Sequence, residues 1–239
     1  MSINNNSDKG TRNLVIGMVA FIVLVGAIFS FISNKSSSTA KVPAAVSASD
    51  GYGIVLNANA TPKIDIFIDY QCPICKNFEI INGGYISEIA ANAKAKVVIH
   101  PMTFIGAESI LAANAAACAA DEGKFLDMNI ALFQNQSGTE NSGLWTGDYM
   151  KRLGNSIGLK SKSFEKCVTD GTYVDWTKNV AKASADANVN STPTVKINGK
   201  EIDRNTEYMD PVKFKAALAA AGAVSYTHLR AHETDAYLV

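Results

Sequence analysis

The chain has no net charge, with 22 lysines and arginines against 22 aspartates and glutamates over 239 residues. It also lacks any lysine- or arginine-rich run, so the electrostatic footprint of a nucleic-acid binder is missing. No repeat of fixed period between about 20 and 50 residues is present, which removes solenoid and propeller architectures. Cysteine is scarce at four residues and histidine scarcer at three. One Cys-x-x-Cys pair with two isolated cysteines is a poor set of zinc ligands, because zinc needs two further donors at suitable spacing. What remains, at 47% hydrophobic and 18% charged residues, suffices for one well-buried domain with appendages, not for two large ones.

The first appendage is an uncharged stretch of 19 residues from Leu14 to Ile32. As a helix it would extend about 28 Å, enough to span a bilayer. Lys9 and Arg12 precede it and favour a cytoplasmic N-terminus, although Lys35 and Lys41 weaken the bias. The expectation is an uncleaved membrane anchor over residues 1–33, with the rest of the chain on the extracytoplasmic side. A cleaved signal peptide is the competing reading, but its apolar core runs only about 7 to 15 residues. Residues 34–50, rich in Ser, Ala, Thr and Lys, are expected to form a flexible linker.

The folded domain is expected over 51–222. Gly53 to Leu56 and Lys63 to Asp69 have strand character, the second with Ile64, Ile66 and Ile68 alternating with Asp65 and Phe67. A helix should start at Pro73, break or kink at Gly83-Gly84, and resume from Tyr85 to Ala93. Lys96 to Met102 reads as a third strand, and an all-helical block follows from about Ala107 to Ala187. Thr194 to Ile197, the Asn198-Gly199 hairpin signal and Glu201-Ile202 return to strand. Asp210-Pro211 then caps a last helix running to Ala221. Residues 223–239 show no apolar period and read as translated adapter sequence, which removes His228 and His232 from any candidate site.

The chemistry is concentrated at Cys72-Pro73-Ile74-Cys75, where a strand meets a helix. A cysteine at a helix N-terminus faces unpaired backbone N–H groups and the positive end of the dipole. Both favour its thiolate, lowering its pKa from about 8.5 into the range of about 3.5 to 7.5. Pro73 suits the first helical turn, and Cys75 lies within one turn of Cys72, close enough to resolve a mixed disulfide. Half a zinc site and a static structural bridge are the competing readings. Thr192-Pro193 stands at the start of a strand, where a cis peptide sits without loss of a ladder hydrogen bond.

Together with that pair, the segments Asp69 to Lys76, Leu132-Phe133-Gln134-Asn135-Gln136, Phe164 to Val168 and Thr192 to Val195 resemble the DsbA-like thiol-disulfide oxidoreductases of the thioredoxin superfamily. The likeness covers residues 51–222 and is closest to the membrane-tethered bacterial members. It implies an α/β thioredoxin-like fold with a helical insertion over about 107–187, preceded here by one transmembrane helix. Cys72 would be the exposed catalytic cysteine, Cys75 the buried resolving one, and Thr192 and Pro193 the substrate-binding loop. Cys118 and Cys167, with 48 residues between them, would form a structural disulfide, as leftover cysteines outside the cytoplasm tend to pair. A second redox pair is the alternative for these two.

The implied function is disulfide formation in cysteine-containing secreted proteins, with no soluble cofactor and no metal. Reoxidation would come from a quinone-coupled membrane oxidase of DsbB or vitamin K epoxide reductase type. A reductase or isomerase using the same residues is the nearest rival, and a non-catalytic peptide- or metal-binding module the rival from another class. Two departures from the family stand out. The acidic residue that many relatives carry six positions before the first cysteine is here Ile66, with Asp65 beside it. The histidine of the strongest oxidases, second between the cysteines, is here Ile74. The expected consequence is a less acidic Cys72 and a less oxidising disulfide.

Overall fold

The computed structural model describes residues 40–223, and the expected anchor and the tail beyond Ala223 lie outside them. Among the described residues no helix is long and apolar enough to cross a membrane. Five strands, β1 (Ile54–Leu56), β2 (Lys63–Ile68), β3 (Lys96–Pro101), β4 (Thr194–Ile197) and β5 (Lys200–Glu201), form one sheet in the order β1-β3-β2-β4-β5. β2 and β3 run parallel, with Ile66 opposite Ile99, and the other pairings are antiparallel. The parallel pair requires a crossover, supplied by helix α1 (Pro73–Ala91). Five helices lie between β3 and β4: α2 (Ala107–Asp121), α3 (Phe125–Gln134), α4 (Gly147–Ser156), α5 (Lys162–Asp170) and α6 (Trp176–Asp186). Helix α7 (Pro211–Ala220) follows β5. This is the thioredoxin-like α/β sheet with a helical insertion.

Local chemistry accounts for the element ends. Asn198 and Gly199, at φ of 49° and 83°, make the tight turn between β4 and β5. Asp210 accepts hydrogen bonds from the backbone N–H groups of Val212 and Lys213 and caps α7. Trp176, buried completely, donates its indole N–H to the carbonyl of Tyr52 at 2.9 Å and ties the insertion to the segment before β1. Phe78 of α1 meets Phe214 of α7 edge-on at 5.5 Å, and Asn82 donates to the carbonyl of Tyr208 at 2.8 Å. The Tyr208 hydroxyl in turn accepts from Val195 N–H at 2.7 Å, so α1, α7 and β4 are locked behind the cysteine pair.

Two expectations need correction. Helix α1 runs unbroken through Gly83-Gly84. A Cβ at Gly83 would stand 2.3 Å from Glu79 Oε1, so this glycine gives up helix propensity to leave room for a neighbouring carboxylate. Beyond Lys63 every residue of β2 is buried, Asp65 and Phe67 as well as the isoleucines. The last part of the expected linker is packed: Val46 bridges to Ile54 and residues Ala48–Asp50 form a 3-10 turn. Its anchor is Asp50, which pairs with Lys63 at 3.3 Å and Lys96 at 2.7 Å.

Candidate active site

β2 ends at Ile68, and the chain turns through Asp69, Tyr70 and Gln71 to place Cys72 as the N-cap of α1, with Pro73 in the first helical position. The turn is closed by the Cys72 N–H donating to the Asp69 carbonyl at 3.0 Å. Cys72 Sγ accepts the backbone N–H of Cys75 at 3.4 Å, the capping bond usually made by a serine or aspartate oxygen. Both thiols are free, and neither is open to solvent. Cys75 is fully buried and Cys72 is 8% exposed, so the expected exposed cysteine is largely covered, and Pro73 and Ile74, the latter at 55%, form the surface of the motif.

The cover is the loop before β4. Cys72 Sγ lies 3.7 Å from the Thr192 carbonyl, and the Thr192-Pro193 peptide is cis. A second cis peptide, Thr61-Pro62, precedes β2 and carried no sequence signal beyond its proline. Sequence-distant elements thus bring Cys72, Cys75, Thr192 and Pro193 to one place.

The electrostatics separate the two sulfurs. The Cys75 thiol beside it, then the N–H groups of Cys75 and Ile74 and the Thr192 side chain, outweigh burial and lower the Cys72 pKa to about 6. Burial, and then the neighbouring Cys72, push Cys75 far upward. At neutral pH the pair therefore holds one thiolate and one thiol. The thiolate is a competent nucleophile and leaving group, whereas Cys75 is protected until Cys72 is engaged.

Asp65, next to the position of the family's acidic residue, is engaged by other partners. Its carboxylate belongs to His100 Nε2 at 3.0 Å and Lys63 Nζ at 2.9 Å, and despite burial these partners hold its pKa below the usual range. His100 also stacks on Phe67, with ring centroids 4.1 Å apart. This cluster neutralises charge within the packed side of the sheet.

The insertion contributes a polar network that sequence reading passed over. Asp69, buried and with its pKa raised by desolvation, accepts from Gln71 N–H at 2.9 Å, Ser109 Oγ at 2.7 Å and Ile105 N–H at 3.1 Å. The Gln71 carboxamide bonds Ser109 and both the N–H and the side chain of Asn141. Gln136 Nε2 donates to the carbonyls of Tyr70 at 2.7 Å and Cys72 at 3.0 Å. Asp69, Gln71 and Gln136 lie within segments that carry the family resemblance, which assigned them no role. Away from this site, Cys118 of α2 and Cys167 of α5 are joined by a disulfide.

The thioredoxin family profile matches residues 51–218. Among solved structures, the chain is similar to the thiol-disulfide oxidoreductase MdbA from Actinomyces oris, at 23% identity and a TM-score of 0.64, covering 78% of this chain and 97% of that one. It is similar to oxidised BdbD from Bacillus subtilis at 24% identity and a TM-score of 0.62, covering 77% and 98%. Reduced DsbA from Mycobacterium tuberculosis aligns at 22% identity and a TM-score of 0.59, covering 77% and 89%. No curated protein sequence matches the chain. The family match and the sheet with its inserted helices agree: the chain belongs to the thioredoxin family, in the fold it shares with thiol-disulfide oxidoreductases of the DsbA type.

Proposed function

We propose that this protein is an extracytoplasmic thiol-disulfide oxidoreductase that introduces disulfides into cysteine-containing secreted proteins through Cys72 and Cys75. The observation that carries the reading is the asymmetry of the pair, an acidified Cys72 at the helix N-terminus beside a buried, protonated Cys75. In the oxidised protein a substrate thiolate attacks Cys72 Sγ, the Cys72–Cys75 bond breaks, and Cys75 takes up a proton. A second substrate thiolate then attacks the substrate sulfur of the mixed disulfide. The substrate leaves with its new disulfide, and Cys72 departs as a thiolate, two electrons having passed to the protein. Thr192 and Pro193 flank Cys72 and would hold the extended substrate beside it.

The apolar segment Leu14 to Ile32 supports a single-pass anchor with the catalytic domain outside the cell membrane. That location suits reoxidation by a quinone-coupled membrane oxidase of DsbB or vitamin K epoxide reductase type. A reductase or isomerase is the second reading, favoured by a Cys72 pKa near 6, above the lower end of the range of about 3.5 to 7.5 for such cysteines. Cys75→Ser tests the exchange chemistry: expressed in the host, it should accumulate mixed disulfides between Cys72 and secreted proteins. Absence of any adduct that reductant releases would refute the enzymatic reading.

A further inference from the structure

Gln136 is the one residue of the insertion whose side chain bonds the redox turn on both sides of Gln71. Its single NH2 group reaches the carbonyls of Tyr70 and Cys72 across sequence separations of 66 and 64 residues. Its own backbone carbonyl stands 3.5 Å from Lys76 Nζ in the first turn of α1. The residue is held in place in turn. Its N–H donates to the Phe133 carbonyl at 3.3 Å, and the neighbouring Asn135 carbonyl accepts the Trp145 indole N–H at 3.3 Å.

We infer that Gln136 is a positioning residue for Cys72, its carboxamide fixing the two peptide planes that aim the sulfur at the helix N-terminus. Peptide groups are planar, so a bond at each end of one sets its orientation. The Tyr70–Gln71 peptide is gripped at its oxygen by Gln136 and at its N–H by the Asp69 carboxylate at 2.9 Å. The Cys72 carbonyl receives both Gln136 and the first helical N–H, that of Lys76 at 3.1 Å. With these planes fixed, Cys72 stays at ψ of 119°, the extended N-cap conformation in which its sulfur meets the N–H of Cys75. Without Gln136 the Tyr70 carbonyl loses its donor, the turn gains freedom, and the sulfur spends less time against the N–H groups that stabilise its charge. Gln136 belongs to the inserted helical block, so that block tunes the nucleophile as well as enlarging the domain. This inference rests on the reading of Cys72 as the redox nucleophile.

The experiment is an ultraviolet thiolate titration of Cys72 in the reduced protein, carrying Gln136→Leu, Gln136→Glu, or Gln134→Leu as a control. Gln136→Leu removes the donor without adding charge and carries the test, Gln136→Glu adds a carboxylate that by itself opposes the thiolate, and Gln134 is exposed on α3. In both Gln136 variants the midpoint should rise by about one unit. Reaction with a small disulfide should then slow about tenfold near pH 5, with little change near pH 9. The control should titrate like the parent. An unchanged midpoint in a folded Gln136 variant overturns the inference. So does loss of fold in both, because Gln136 would then support the domain as a whole. The titration reads the thiolate whether or not the protein exchanges disulfides. An inactive parent with a shifted variant would therefore sink the oxidoreductase reading and leave only the hold of Gln136 on the Cys72 sulfur.

Discussion

The sulfur of Cys72 lies 3.7 Å from the carbonyl oxygen of Thr192, a residue 120 positions further along the chain. The contact ties the redox turn to the loop that opens β4 and places the Thr192 side chain where it acts to lower the pKa of both cysteines.

Thr192→Val keeps the shape of that side chain and removes its hydroxyl. A hydrogen bond to a charged group contributes about 1.5 to 3 kcal/mol at best, and this one stands well down among the causes at Cys72. The expected outcome is a rise of about half a unit in the Cys72 titration midpoint, with the fold unchanged, read by thiolate absorbance. A fall in the midpoint would contradict the geometry.

The same acidity couples redox state to stability. Cys72 has a folded pKa of about 6 against an unfolded value near 9.0, so between these limits the unfolded reduced chain binds a proton that the native one does not. The reduced form should therefore gain stability over the oxidised form as pH rises from about 6 to about 9, and lose that advantage as pH falls through about 6. Denaturant melts of both forms across this window check the sign.

Asp65→Asn separates the buried ion cluster from the chemistry. It leaves His100 without its carboxylate in a packed layer while Lys63 keeps Asp50, so stability should drop by about 1 to 3 kcal/mol. The rate of thiol exchange at neutral pH should stay within about twofold of the parent. A large rate loss in a folded variant would mean that Asp65 takes part in the exchange chemistry.

The Cys118–Cys167 bridge closes a loop across a sequence separation of 49 residues. In the chain-entropy model, replacing both cysteines with alanine lowers stability by about 4 kcal/mol. A structural role also requires that the double variant keep its exchange rate at temperatures where it is folded. A bridge that relays electrons would instead lose turnover.

Legibility followed sequence distance. The Cys72 to Cys75 motif, the Asn198-Gly199 turn and the Asp210-Pro211 cap each act within four residues of themselves, and their chemistry can be read from the chain alone. The unbroken α1 is an exception, since Gly83 and Glu79 stand only four residues apart on one helix and a Gly-Gly pair still signals a break. The partners of Asp65 are 35 residues away at His100 and in the lysine before it on the strand, and the donors to the redox turn arrive from the end of α3. A glutamine in a sequence shows neither which carbonyl it will meet nor whether it will be buried. The Thr192-Pro193 loop lay between these cases, since its proline was visible and its nearness to Cys72 followed only from family likeness.

The most direct test is the reduction potential of the Cys72 and Cys75 pair in the isolated domain, equilibrated against glutathione. A Cys72 pKa near 6 places the expected value between about −120 and about −270 mV, the interval of exchange-active motifs, whereas a value below about −300 mV would mark an inert structural disulfide and contradict the account.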